Sequence, residues 1–325
     1  MKNGVRFSVV CGVACAAVAP QFALSQLYPA KPIRLMVPQS AGSATDTVAR
    51  AIAQKLGERV GQQVIIDNRA GASGLIAGEM VAKAPPDGYT LLIVSATHTV
   101  NPSLRKSMPY DAIRDFTPVT LATGQSYVLL AHPSLPVKNV KELVQLAKAR
   151  PGQINYASTA AGSLGHLGFE LLKTTAGIDM VHITYKGTGP ALTDIMGGHV
   201  SLLFLTVVSG LPQVKAGRLK GLAVSTGRRS PIAPDIPTMA ESGVLPGFDV
   251  SGWYGILGPA NLPPVVTGKL NSEIAAILKT PEIRERLAAD GSEAVGSTPD
   301  AFAAHLKTEV AKWAKVVKAA GIKPE

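Results

Sequence analysis

The sequence predicts an α/β protein of two lobes. Three observations carry that expectation: strand-like and helix-like patterns alternate, the strands are continuous apolar runs, and one short corner occurs twice. Continuous apolar strands separated by helices point to parallel sheets covered by helices on both faces. The repeated corner reads QSAGSATD at 39–46 and TAAGSLGH at 159–166. In each, Ala-Gly-Ser follows a strand-like run and precedes a helical pattern, and Asp46 or His166 stands three residues beyond the serine.

The first 25 residues are read as a signal peptide, because Lys2 and Arg6 precede an uncharged apolar run over 7–19 and small residues follow at Ala23-Leu24-Ser25. That run is too short for a comfortable membrane span. The expectation is an exported, periplasmic protein cleaved near residue 25. Its mature length of about 300 residues suggests two domains. Cys11 and Cys15 both lie in the leader, so no thiol nucleophile, thiolate metal site or disulfide is expected after cleavage. The formal charge of +10 falls to +8 with the loss of Lys2 and Arg6. Such a balance steers anions or simply solubilises. The cations are scattered, without a basic run interleaved with aromatics, so no nucleic-acid partner is expected.

The elements follow in order. A strand at 32–38 leads into a helix whose apolar face is Val48, Ile52 and Leu56, one residue every fourth. A second strand, 64–66, precedes Gly71-Ala72-Ser73-Gly74 and another helix, and the turn Pro85-Pro86-Asp87-Gly88 introduces a third strand ending at Ser95. The pattern restarts with a strand at 127–131, a helix marked by Val140, Leu143 and Leu146, and a strand at 154–158 feeding the second corner. A helix with Leu164, Leu167 and Leu171 and strands at 180–185, 200–205 and 219–225 continue it. A proline-punctuated crossing at 230–237 precedes a helical tail from Pro263, expected to pack back across the molecule.

Loops at strand C-terminal ends line the ligand crevice of a parallel α/β sheet. Helices that begin there present unsatisfied N–H groups and the positive end of their dipole. Two such corners facing each other can grip a carboxylate. The same letters also serve as helix caps, with Ser43 and Ser163 satisfying orphan donors, and from sequence both readings stand. Ser95 and Thr97, after the third strand, are placed to border the same crevice. The turn after Tyr185-Lys186 either completes the second lobe's wall or is a plain turn. No nucleotide-binding glycine motif and no G-x-S-x-G elbow is present. Ser163 and His166 lack a nominated carboxylate to complete a triad. The six histidines form no zinc-binding spacing, so neither metal nor cofactor is expected.

At VPQSAGSATDTVAR, IIDNRAGASGLIAGEMVAKAPPDGYTLL, YASTAAGSLGHLGFELL, HITYKGTGPALTDIMGGHV, PDIPTMAESG and SGWYGILGPANLP the chain resembles the Bug family, extracytoplasmic solute receptors of tripartite tricarboxylate transporters. The resemblance implies a type II periplasmic-binding-protein fold with two crossovers. It also implies a monomer that passes its solute to membrane transporter subunits; a receptor feeding a signalling histidine kinase needs the same closing cleft, and the sequence leaves both readings open. Lobe one would join residues 26–124 to 230–325, with 125–229 as lobe two. A small carboxylate would be held by backbone groups and bridging waters from Gln39, Ser40, Ala41, Gly42, Ser43, Thr45 and Asp46 of one lobe. Ser158, Thr159, Ala160, Ala161, Ser163 and His166, with Lys186, would hold it from the other. Leu205 stands where many relatives carry an acid, which implies a solute without an amino group.

Overall fold

The computed structural model describes residues 28–324 apart from Ala161; the expected signal peptide therefore lies outside the described residues. The first half runs β1 (Ile33–Val37), α1 (Ala44–Val60), β2 (Val64–Asn68), α2 (Leu75–Ala82), β3 (Thr90–Ser95) and α3 (Thr97–Leu104). Then comes β4 (Phe116–Ala131), followed by α4 (Val140–Ala149), β5 (Asn155–Ser158), α5 (Leu164–Ala176), β6 (Val181–Thr184), α6 (Thr188–Met196), β7 (Leu202–Thr206), α7 (Val207–Lys215) and β8 (Lys220–Val224). The chain closes with β9 (Ser251–Pro259), α8 (Pro264–Leu278), α9 (Pro281–Ala289), β10 (Ser292–Ala294) and α10 (Pro299–Ala319).

The strands join in the order β2-β1-β3-β9-β4-β7-β5-β6. Two parallel trios stand at the ends, β2-β1-β3 and β6-β5-β7, each with its first strand in the middle. Each middle strand, β1 and β5, runs into one of the two corners, so the sequence repeat is also a topological one. Between the trios the sheet is antiparallel, since β9 pairs with β3 and β4, and β7 and β8 pair with β4. The all-parallel expectation is corrected there.

Three strand assignments differ from the sequence reading, the shortest being β10, which pairs with β4 inside the expected helical tail. β4 begins at Phe116, well before the expected Tyr127, because FTPVTLATGQS offers Pro, Thr and Gly where a strand is usually recognised by its apolar alternation. Its pairing with β9 shifts register between Pro118 and Thr120 and again between Leu121 and Thr123, the irregularity by which an edge-like proline is absorbed. β9, with the run SGWYGILGP, has no counterpart in the sequence reading. Gly255 shows why it needs glycine: a Cβ there would stand 2.2 Å from the Phe302 ring of α10.

Helix α10 clasps both halves. Phe302 and Leu306 pack with Met36, Leu92 and Trp253, and Trp313 and Val317 with Tyr156, Phe169 and Phe248. The segment from the expected crossing to β9 packs with the second half: Ala233 and Ile236 beside Leu130 and Val224, and Leu245 and Val250 beside Phe169 and Phe204.

Candidate functional site

The two corners have the same construction. In the first, Gly42 takes φ +80° and Ser43 caps α1, its Oγ accepting from Asp46 N at 3.2 Å. Ser43 N donates to Ser40 O at 3.2 Å, and Gly42 N donates to Asp46 Oδ2 at 2.9 Å. In the second, Gly162 takes φ +73° and Ser163 caps α5, its Oγ accepting from His166 N at 3.3 Å. Ser163 N donates to Ala160 O at 3.2 Å, and Gly162 N donates to His166 Nδ1 at 3.0 Å. A non-glycine residue at either glycine would enter the left-handed region at a steric cost. Asp46 and His166, different letters, therefore do one job: each folds back to hold the N–H of its corner glycine.

Behind each corner that holder is itself held. Asp46 is buried, with Arg50 Nε at 2.8 Å from Oδ2 and Asn68 Nδ2 at 2.9 Å from Oδ1. Burial alone would raise its pKa, but the hydrogen bonds from Arg50, Gly42 and Asn68 outweigh it and hold the carboxyl at about 2. Asn68 also donates to Gln39 O at 3.0 Å, and Thr45 Oγ1 donates to Gln39 Oε1. His166 lies in a stack, 3.9 Å from the His182 ring, which lies 5.0 Å from Tyr156, itself 4.2 Å from Phe169. Burial, reinforced by His182, pushes the His166 imidazole down to about 4. With Nδ1 accepting from Gly162, the ring is neutral and carries its proton on Nε2, 3.9 Å from the buried Glu170 carboxylate. The imidazole is engaged by backbone and the Ser163 hydroxyl by the helix start, so the two form no nucleophile–base pair.

A cavity of about 520 Å³ opens beside the first corner, bordered by Gln39, Ser40 and Ser43, the 70–74 loop, Ser95, Thr97 and Asn101. A second cavity of about 290 Å³ shares Ser73, Thr97 and Asn101 with it and reaches Ala160, Gly162 and Ser163 of the second corner. The two corners thus border two adjoining cavities, which share Ser73, Thr97 and Asn101 in their walls.

Of the residues nominated from sequence, Gln39, Ser40, Ser43, Ser95 and Thr97 border the first cavity, and Thr97, Ala160 and Ser163 the second. Ala41 and Gly42 are exposed and border neither cavity, while Thr45, Asp46 and His166 are buried behind the corners. Ser158 is buried, bonded to His182 Nε2 at 2.7 Å, and Thr159 accepts from Gly187 N at 3.1 Å. Lys186 is exposed and borders neither cavity; Ala161 lies outside the described residues. Leu205 is only 4% exposed and packs with Val128, Leu130 and Val207. Strand alternation explains it: Phe204 faces α5, so Leu205 points to the other side of the sheet. The argument about an amino group therefore does not run through Leu205. Reading the sequence missed Asn101, His98, Tyr110 and the 70–74 loop as wall-forming residues. Only the side-chain-poor GASG run carried a visible signal.

The titrations predict an acid-sensitive fold. His98, buried with Nε2 at 2.8 Å from Ala112 O, is likewise pushed down to about 4 by burial. Both histidines are neutral when folded and take up protons on unfolding, so stability falls as pH drops from about 6.5 to 4. Asp46, whose folded pKa is depressed, adds a further loss between about pH 4 and 2. Thermal unfolding of the protein from pH 7 to pH 4 should show a steady fall in Tm. In a His98→Gln, His166→Gln double variant the slope should flatten between pH 6.5 and 4, and an unaltered slope would refute the assignment.

Comparison with known proteins gives a consistent result. Residues 48–322 match the model of TctC, the tripartite tricarboxylate transporter family receptor. The chain is 36% identical to protein BugT of Bordetella pertussis, over 99% of both chains. Among solved structures it resembles R. palustris Rpa4515 with adipate, at 38% identity and TM-score 0.73, covering 92% of this chain and 100% of that one. It also resembles MatC of Rhodopseudomonas palustris with bound malate, at 32% identity and TM-score 0.69, covering 89% and 100%.

Proposed function

The chain belongs to the tripartite tricarboxylate transporter receptor family, and from that premise we propose that it captures a small organic carboxylate between its two capped corners and delivers it to a membrane transporter. The observation that carries this reading is the space of two adjoining cavities that share Ser73, Thr97 and Asn101, bordered by Ser40 and Ser43 on one side and by Ala160 and Ser163 on the other. Helices α1 and α5 start at that space and turn the positive ends of their dipoles toward it. The N–H groups of Gly42 and Ser43 are consumed within their corner, so hydroxyls and amides at Gln39, Ser40, Ser43, Ser73, Ser95, Thr97 and Asn101 supply most of the polar contacts. Ordered waters bridge the rest at little cost. The first cavity is bordered by no Asp or Glu, which favours a solute without an amino group.

In this reading the trios β2-β1-β3 and β6-β5-β7 are the centres of two lobes. The outward crossing lies within β4, and the return lies at Ser251, about twenty residues after the crossing expected from sequence. The leader directs the chain to the periplasm, and the mature protein acts as a monomer that docks transiently on its transporter. Solved relatives hold adipate and malate, the natural first probes. A carboxylate that binds the native state at a hundred times its Kd stabilises it by about 2.7 kcal/mol. Thermal unfolding of the mature chain should therefore shift upward by several degrees with a carboxylate from a panel including both. A panel of organic acids with no shift at any concentration would end the proposal.

A further inference from the structure

We infer that a carboxylate of the solute sits in the second cavity, where Arg105 and Lys323 recognise it by charge, and that these two residues set the preference for an anion. This rests on the carboxylate-binding reading and deepens it. Among the described residues that border the two cavities, the cations belong to the second, and neither cavity is bordered by Asp or Glu. The acids behind the corners have cations of their own: Arg50 lies 2.8 Å from Asp46, and Lys173 lies 3.0 Å from Glu170. An anion placed beside Arg105 and Lys323 gains their attraction with no carboxylate in the cavity wall to oppose it.

Local structure places both cations. Arg105 ends α3, its N–H donating to Asn101 O at 3.0 Å. An NH2 group of its half-buried side chain donates to Ser73 Oγ at 2.8 Å, which holds the guanidinium at the edge that both cavities share. Lys323 follows α10. Gly321, at φ +65°, turns the chain out of the helix, and Ile322 N donates to Val317 O at 3.1 Å. The Ile322 side chain packs on the core that contains Phe169 and Trp313, and this sets the next residue beside the cavity. Helices α3 and α10 pack on each other, and the same cavity is bordered by Ala160, Gly162 and Ser163 of the second corner. Gly162 admits the close approach of α3, since a Cβ there would lie 2.8 Å from Leu104 Cδ1. A carboxylate in this space therefore has cations from α3 and the end of α10 on one side and the second corner on the other. The charge that is recognised also draws the two sides of the crevice together.

Calorimetry on the mature chain tests this with the acids that raise its unfolding temperature, adipate and malate first. Arg105→Gln should weaken binding about tenfold, because contacts to a charged group outweigh those between neutral ones. Lys323→Gln, at an exposed position, should leave the fold unchanged and weaken binding about threefold. Both losses should shrink when salt is raised from about 20 mM to about 500 mM, as screening predicts for a charge effect. A loss that arose from a displaced 70–74 loop would be independent of salt. Salt-independent losses, or unchanged affinity in both variants, would overturn the inference while binding by the unaltered chain left the receptor reading intact. Failure of every acid in the thermal panel to bind would end that reading, and this inference with it.

Discussion

Replacing Gly42 by proline is expected to cost about a hundredfold in solute affinity and to lower Tm. Proline holds φ near −65°, whereas Gly42 sits at +80°. The substitution also removes the N–H that donates to Asp46 Oδ2, and the ring restricts Ala41 before it. Together these cost about 3 kcal/mol or more, concentrated in the corner whose Ser40 and Ser43 border the cavity. The comparison that gives the result meaning is Ser43→Ala, which deletes the cap acceptor for Asp46 N and one hydroxyl at the cavity while leaving the backbone path intact, and should cost about 1 kcal/mol. Calorimetric titration with whichever carboxylate stabilises the protein reads both. Equal losses for the two variants would show that the corner's backbone path does not position the solute.

The second large effect is expected at a residue that touches no solute. Gly78, in α2, has the Tyr110 ring against it: a Cβ there would lie 2.5 Å from the ring carbon Cε1 and from the hydroxyl. Tyr110 is the far wall of the cavity beside the first corner. Gly78→Ala therefore either drives Tyr110 into the cavity or forces α2 away from the sheet, and overpacking of this kind costs about 1–3 kcal/mol. Affinity for the solute should fall by about tenfold, and the variant should unfold at lower temperature. A variant that loses stability with affinity intact would show that Tyr110 packs the lobe without shaping the cavity.

How much of the site the letters disclosed depended on whether the signal was local. Ser43 and Ser163 were legible because capping acts over three residues, and both geometries matched within a few degrees in φ and ψ. The capping reading is seen in the geometry, and it leaves each serine at the border of a cavity, Ser43 at the first and Ser163 at the second. Asn101 and Tyr110 were invisible, since neither stands in a motif and each reaches the wall only through the packing of α3 and the loop before β4. Leu205 misled for the same reason in reverse: a position beside a strand end was read as crevice, when the pleat turned it to the opposite face.

The sequence by itself determined the alternation of strands and helices, the duplicated corner and the family, because periodicity, caps and glycine turns are written within a few residues of where they act. Tertiary structure alone decided that β4 and β9 run antiparallel through the middle of the sheet, that α10 ties the halves together, and that Asp46 and His166 serve as struts behind the corners. The strand pairing and the clasp rest on contacts between residues far apart in the chain, as do the supports of the struts, Asn68 behind Asp46 and His182 behind His166. Their energies come from burial and from pairing of polar groups, quantities that no single stretch of sequence carries.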